Sequence, residues 1–204
     1  MATCFGQIDN VRLLLEKGAD KTVCDEDGGI PLHMAARNGH LEAVELLLVD
    51  DIDAVEKGGV TPLMTAVISK SLCKEKTSNG HAKVVGFLLE KGADPNGEIE
   101  GYKGEPPLHV ASRNGDVEMV KLLIEHGATV DRSSNDELTP LHVAATLGKK
   151  EVVEILLQGG AKVNEENRDG ITALDLASCH GNAEVVALLE GYVSASEGSK
   201  QPNS

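Results

Sequence analysis

Six Leu-rich triplets recur along the chain at nearly constant spacing: Leu13-Leu14-Leu15, Leu46-Leu47-Leu48, Phe87-Leu88-Leu89, Leu122-Leu123-Ile124, Ile155-Leu156-Leu157 and Leu188-Leu189-Glu190. Their middle members are separated by 33, 41, 35, 33 and 33 residues. A period near 33 predicts a stacked array, in which each unit buries its apolar face only against its neighbours. Such an array presents surfaces rather than a central pocket, which points to binding.

A second motif runs at fixed phase to the first. It comprises Ile30-Pro31-Leu32-His33, Thr61-Pro62-Leu63-Met64, Pro106-Pro107-Leu108-His109, Thr139-Pro140-Leu141-His142 and Thr172-Ala173-Leu174-Asp175. Thr followed by Pro is a helix start, because the hydroxyl caps a free backbone N–H and Pro has the φ of the first helical position. Ala35, Ala36, Ala111, Ala144, Ala145 and Ala177 keep this first helix narrow. Gly39, Gly80, Gly115, Gly148 and Gly181 then stand where the chain must reverse. Leu41, Val44, Leu47 and Leu48 form the apolar stripe of a second helix. Gly18, Gly92, Gly127 and Gly160 follow such helices, where a left-handed cap favours glycine. Polar segments such as Asp25-Glu26-Asp27-Gly28-Gly29 supply a hairpin to the next unit.

These tetrads, with the A-A-x-x-G-H and L-L-x-x-G-A-D-x-N segments that follow them, resemble ankyrin repeats over residues 2 to 192. The resemblance implies an all-α repeat fold, an ankyrin-repeat solenoid of stacked helix-turn-helix units joined by β-hairpin-like loops. A single repeat domain is expected over 1–192, with a partial repeat at 1–20 and full repeats beginning near 25, 56, 101, 134 and 167. Residues 193–204 read as a disordered polar tail. Ala2 to Gly6 aligns with Ala35 to Gly39, so the chain starts within a first helix; a fragment, a shortened isoform or a protein capped by something else fits that start. Glu190 replaces the apolar residue of earlier triplets, which predicts that stacking stops there.

Two stretches depart from the period. About ten extra residues lie between Ile68 and Gly80, including Lys70, Cys73, Lys74, Glu75, Lys76, Thr77 and Ser78 on the expected helix-to-helix turn. They fit a docking or phosphorylation loop, or a surface insertion tolerated because loop closure penalises length weakly. The segment from Pro95 to Glu105 is two residues longer than its counterparts and carries Tyr102, either an interface anchor or an ordinary turn residue.

The resemblance implies binding on a concave side built from hairpin tips and the exposed face of each first helix. Carried over by position, the partner-binding set is Glu26, Asp27, Arg37 and Asn38; Lys57, Ile68 and Ser69; Tyr102, Lys103, Glu105, Arg113 and Asn114; Asn135, Asp136, Leu138, Thr146 and Leu147; and Arg168, Asp169, Ile171 and Cys179. A formal net charge of −14 disfavours nucleic acid and anionic membranes. Acidic tips predict a protein partner with a basic or mixed-charge surface, or simply keep a long protein soluble. Asn96 and Asn164 end G-A-D-x-N-type segments, and similar asparagines in ankyrin repeats are hydroxylation targets; alternatively each bonds its own turn.

No catalytic set is visible. His33, His109 and His142 share one register position in different layers, so they cannot converge on a metal; they are expected to bridge backbone groups or the tetrad Thr within their own turns. Cys179 and His180 are adjacent on a helix and point apart. Cys4, Cys24, Cys73 and Cys179 form no C-x-x-C pair, and no leader or membrane span is evident. The sequence therefore predicts a monomeric, cofactor-free interaction module of the cytoplasm or nucleus that is not itself an enzyme. The alternative is a regulatory or targeting segment of a larger enzyme, channel or ubiquitin-ligase component.

Overall fold

The tetrad prolines fix where the helices begin. In the computed structural model, which describes residues 8–72, 80–98 and 104–198, helices open at Pro31, Pro62, Pro107 and Pro140, and the proline-free fifth tetrad opens one at Ala173. Tyr102 and Lys103, together with Cys73 to Ser78 of the insertion, lie outside the described residues.

The chain divides into two compact units, Met1–Pro107 and Leu108–Ser204. Contacts in a repeat array run between neighbouring layers, so a division between layers is physically reasonable. The first unit contains α1 (Ile8–Glu16), α2 (Pro31–Arg37), α3 (Leu41–Leu47), α4 (Pro62–Leu72) and α5 (Gly80–Glu90). Here α2 packs on both α3 and α4, α3 on α1 and α5, and α4 on α5. The second unit contains α6 (Pro107–Asn114, its first residue at the boundary), α7 (Val117–Glu125), α8 (Pro140–Thr146), α9 (Lys150–Gln158), α10 (Ala173–Cys179) and α11 (Ala183–Gly198). There α8 packs on α9 and α10, α9 on α7 and α11, and α10 on α11.

The interior is built from four tetrad leucines and from the middle residues of the last five triplets. Leu32, Leu63, Val44, Val85 and Leu88 are buried in the first unit, and Leu108, Leu123, Leu141, Leu156 and Leu189 in the second. A fully buried Leu contributes roughly 2–3 kcal/mol of transfer free energy. Leu13 and Leu14 remain 53% exposed, and Glu190 is exposed where earlier triplets are apolar.

The turn glycines divide by cause. Gly39, Gly115, Gly148 and Gly181 have left-handed φ of 64–72°, and the helix-ending Gly18, Gly92, Gly127 and Gly160 have φ of 82–96°. Gly80 has no positive φ. It opens α5, and a Cβ there would lie 2.5 Å from the Gly39 carbonyl oxygen. Close approach of two layers selects this glycine, not backbone conformation.

Two expectations are corrected. The insertion does not begin on a turn: α4 continues through Lys70 to Leu72, because this stretch contains neither Gly nor Pro to stop it. Likewise α11 continues past Tyr192 to Gly198, into the stretch read as a polar tail. That stretch lacks proline before residue 202, so nothing in it forces the helix to end at Tyr192.

Candidate interaction surface

The hairpins are built by one repeated bond. Asp25, Glu56, Ser134 and Asn167 each donate a backbone N–H to the carbonyl four residues on, at Gly29, Val60, Leu138 and Ile171. Asp25 and Asn167 add a side-chain acceptor: each Oδ1 takes two backbone N–H groups of its own loop, at 2.8–3.0 Å. The left-handed residue of each tip is glycine at Gly28, Gly59, Gly104 and Gly170, with φ of 67–80°. The hairpin between α7 and α8 instead holds Glu137 there, at φ 57°.

Neighbouring tips are strapped together within each unit. Lys57 donates its backbone N–H to the Asp27 carbonyl at 2.7 Å, with its ammonium 3.8 Å from the Asp27 carboxylate. Arg37 Nη2 donates to both carboxylate oxygens of Glu56 at 3.0 and 3.2 Å, and Glu56 is only 13% exposed. Arg168 donates to the Asn135 carbonyl at 2.9 Å and lies 3.6 Å from Glu137. Exposed ion pairs of this kind contribute little stability, ~0–1 kcal/mol. Their effect is to orient the tips, and Glu56 and Glu137 are orienting residues that sequence reasoning missed. Their signal was charge complementarity between tips one repeat apart.

The histidines extend the sequence expectation. His33 Nδ1 accepts the Ile30 N–H, and His142 Nδ1 accepts both the N–H and hydroxyl of Thr139, as bridges within the turn. Each Nε2–H also reaches the next layer: His33 donates to Val60, His109 to Leu138 and His142 to Ile171, at 2.8–3.2 Å. These bonds assign the neutral tautomer and make each histidine a staple between layers. Burial, above all, lowers the pKa of all three; for His109 it falls to about 4, with Arg113 and Arg132 acting in the same direction. Asp175 replaces His in the last tetrad and accepts from the Thr172 N–H and hydroxyl, which lowers its pKa.

His109 is the incomplete case. Its Nδ1 is buried without a partner, because Pro106, where His142 meets Thr139, has neither an N–H nor a hydroxyl. Pro106→Thr is expected to stabilise the chain by about 1 kcal/mol, supplying a cap and an N–H to that nitrogen. A higher urea midpoint at unchanged slope is the measurement that checks it.

Two further residues that bond between layers were not foreseen. His81 Nε2–H donates to the Arg37 carbonyl at 3.0 Å, and Asn182, at the corresponding place of its layer, donates to the Ala145 and Thr146 carbonyls at 2.8 and 2.9 Å. Both cap the C-terminus of the preceding first helix. The slot of Asn164, eight residues before its tetrad, is occupied elsewhere by Asp53 and Asp131, whose carboxylates accept the Asp94 and Lys162 N–H groups of the following layer. Burial raises the Asp53 pKa. Asn96 is half-buried, with its N–H on Asp94 Oδ1, and Asn164 is exposed.

Of the predicted contact residues, Glu26, Asp27, Arg37, Lys57, Arg113, Asn114, Asn135, Asp136, Leu147, Arg168, Asp169 and Cys179 are exposed. Asn38, Ile68, Ser69, Leu138, Thr146 and Ile171 are half-buried; Asn38 and Thr146 bond the Met34 and His142 carbonyls of their own helices. Glu105 is a correction: at 6% exposure it lies inside, since the residue before a tetrad enters the packed helix start rather than the tip. Among the described residues, no cluster of three or more His, Cys, Asp or Glu side chains is placed to hold a metal. No helix there is long and apolar enough to cross a membrane.

The profile for "Ankyrin repeats (3 copies)" matches residues 1–97, 75–167 and 108–195. The chain belongs to the ankyrin-repeat family. Ankyrin repeats are protein-interaction modules, and the helical pairs, capped tetrads and hairpins described above are this family's unit. The chain is 32% identical to ankyrin repeat protein nuc-2 of Neurospora crassa over 134 residues, covering 63% of this chain and 11% of that protein. Rabankyrin-5 of Mus musculus is 35% identical over 139 residues, covering 67% and 11% respectively. A Caenorhabditis elegans homologue of transient receptor potential cation channel subfamily A member 1 is 32% identical over 130 residues, covering 64% and 10%. The chain spans less than half the length of such curated relatives.

Proposed function

We propose that this ankyrin-repeat chain is a scaffold or adaptor that binds a partner protein across its hairpin tips and the exposed faces of its first helices. One observation carries the reading. Three described tips use glycine at the left-handed position, at Gly28, Gly59 and Gly170, whereas the tip between α7 and α8 holds an exposed charged residue there, Glu137. A left-handed non-glycine residue is destabilising by roughly 1–2 kcal/mol, and such strain clusters at binding sites. Asn135, Asp136, Leu147, Arg168 and Asp169 of the same unit stay exposed, and Arg168 is fixed against Asn135 and Glu137, which reduces the ordering lost on association. The acidic excess fits a basic or mixed-charge partner, steered at long range. A monomer acting in the cytoplasm or nucleus is part of this reading.

Three substitutions test it in affinity capture from cell lysate followed by titration of the recovered partner. Glu137→Gly is expected to raise stability by about 1 kcal/mol by relieving the left-handed strain. Leu147→Glu and Asp169→Lys are expected to leave stability within about 0.5 kcal/mol and to weaken the partner at least about tenfold. Unchanged affinity in both surface variants would remove this face as the binding site, and insensitivity to salt would remove steering.

A second reading is favoured by the relatives: the matching stretch is about a tenth of nuc-2, Rabankyrin-5 and the channel homologue. In it, the repeats target or regulate a larger enzyme, channel or ubiquitin-ligase component. The mass of the endogenous protein, detected with an antibody to these repeats, separates the two readings.

A further inference from the structure

We propose that Asn96 is a site of spontaneous deamidation, in which its side chain cyclises onto the Gly97 amide nitrogen, while Asn38 and Asn114 are protected by their place in the fold. The sequence holds four Asn-Gly pairs, at Asn38, Asn79, Asn96 and Asn114. Glycine favours this ring closure because it has no side chain to obstruct the attack and turns freely about its own φ. Asn79 lies outside the described residues, which leaves three pairs to compare.

The attacking atom is a backbone nitrogen, so its hydrogen bond decides whether it can react. Gly39 and Gly115 donate to the Ala36 and Ser112 carbonyls, each at 3.1 Å, and both are fixed at left-handed φ, 66° and 70°. Asn38 is held as well, its Nδ2 donating to the Met34 carbonyl at 2.7 Å. Gly97 differs. Its φ is not left-handed, its N–H makes no hydrogen bond among the described residues, and a carbon added there would meet nothing nearer than 3.8 Å. Its loop also departs from three equivalents. After Asp53, Asp131 and Asn164, at the corresponding places of their layers, the next residue closes a turn on the carbonyl three back: Ala54 on Asp51, Arg132 on Thr129 and Glu165 on Lys162, each at 3.3 Å. Gly97 makes no such bond to Asp94, whose carboxylate instead takes the Asn96 N–H at 2.8 Å.

The Gly97 nitrogen bonds to Asn96 Cγ, its proton leaves with the departing amide as ammonia, and a cyclic imide results. Water then opens the ring at either carbonyl, giving aspartate or its backbone-shifted isomer. A carboxylate suits this place, since Asp53 and Asp131 occupy it in other layers. The isomer lengthens the main chain by a methylene and marks the aged protein.

The test is to age the full chain in mildly alkaline buffer and digest it with trypsin, which separates the three asparagines. Mass spectrometry then follows the amide-to-acid change in each peptide with time. Conversion at Asn96 is expected to run at least about fivefold faster than at Asn38 or Asn114, the factor that one backbone hydrogen bond imposes. In guanidinium chloride the three rates should converge, because the dipeptide is the same. Gly97→Ala should slow Asn96 several-fold and leave the other two unchanged. Equal rates in the folded chain, a preference for Asn96 that persists in denaturant, or an unslowed Gly97→Ala chain overturns the assignment. None of these measurements reads binding, so the site and the proposed interaction surface fail independently.

Discussion

Gly80→Ala is expected to destabilise the protein by about 2–3 kcal/mol, although alanine is the better helix former. The Cβ would lie 2.5 Å from the Gly39 carbonyl oxygen, closer than carbon and oxygen approach, and both groups are fixed in backbone. Relief requires the end of α2 to separate from the start of α5, and that movement stretches the 3.0 Å bond from His81 to the Arg37 carbonyl. Gly191→Ala is the control. Gly191 lies inside α11 with nothing within 4 Å of the added carbon, so it should gain up to about 1 kcal/mol. Urea unfolding of the two variants gives opposite signs if the glycines have these different causes. A neutral Gly80→Ala would show that the two layers do not meet as described.

Stability is expected to fall between about pH 6.5 and 4, and His109 is the largest contributor. Its folded pKa is lowered to about 4 from the ordinary 6.5, first by burial. Between those values the unfolded chain binds a proton that the folded chain does not, so stability rises with pH through this window and is fully present above it. At 1.36 kcal/mol per unit, the lowering corresponds to a loss of about 3 kcal/mol by pH 4. His33 and His142 add losses of the same sign. Asp175 and Asp20, whose pKa values are lowered, contribute stability above the ordinary carboxylate value of 3.8 that is lost only below it. The raised pKa of Asp53 acts in the opposite sense, its contribution being lost as pH rises through its folded value. His109→Gln should reduce stability at pH 7.5, since the donor to Leu138 is displaced, while flattening the profile between pH 6.5 and 4. An unaltered profile in that variant would place the titration elsewhere.

Much of the fold was legible because its signals are local. A proline at the first helical position and a glycine after the last turn act within a few residues, and both were read correctly at Pro31, Pro62, Pro107, Pro140, Gly18, Gly92, Gly127 and Gly160. Gly80 looked like its neighbours in the pattern, but its reason lies across a layer boundary, where one sequence read alone shows no distance. The candidate surface was legible as a set of positions and less so in its chemistry. Arg37 and Arg168 read as cations open to a partner, whereas Glu56 and Glu137 hold them. Glu105 read as a tip residue and is buried, since the sequence fixes its distance from the tetrad but not where the loop turns inward.

The sequence by itself determined the repeat, its helical pairs, the capped helix starts and the family, because each follows from a periodicity or from the conformational preference of single residues. Only the tertiary structure decided which carbonyl each histidine reaches and that Glu137 holds Arg168 one layer on. These are relations between layers about thirty residues apart, set by how side chains pack, and no local propensity encodes them.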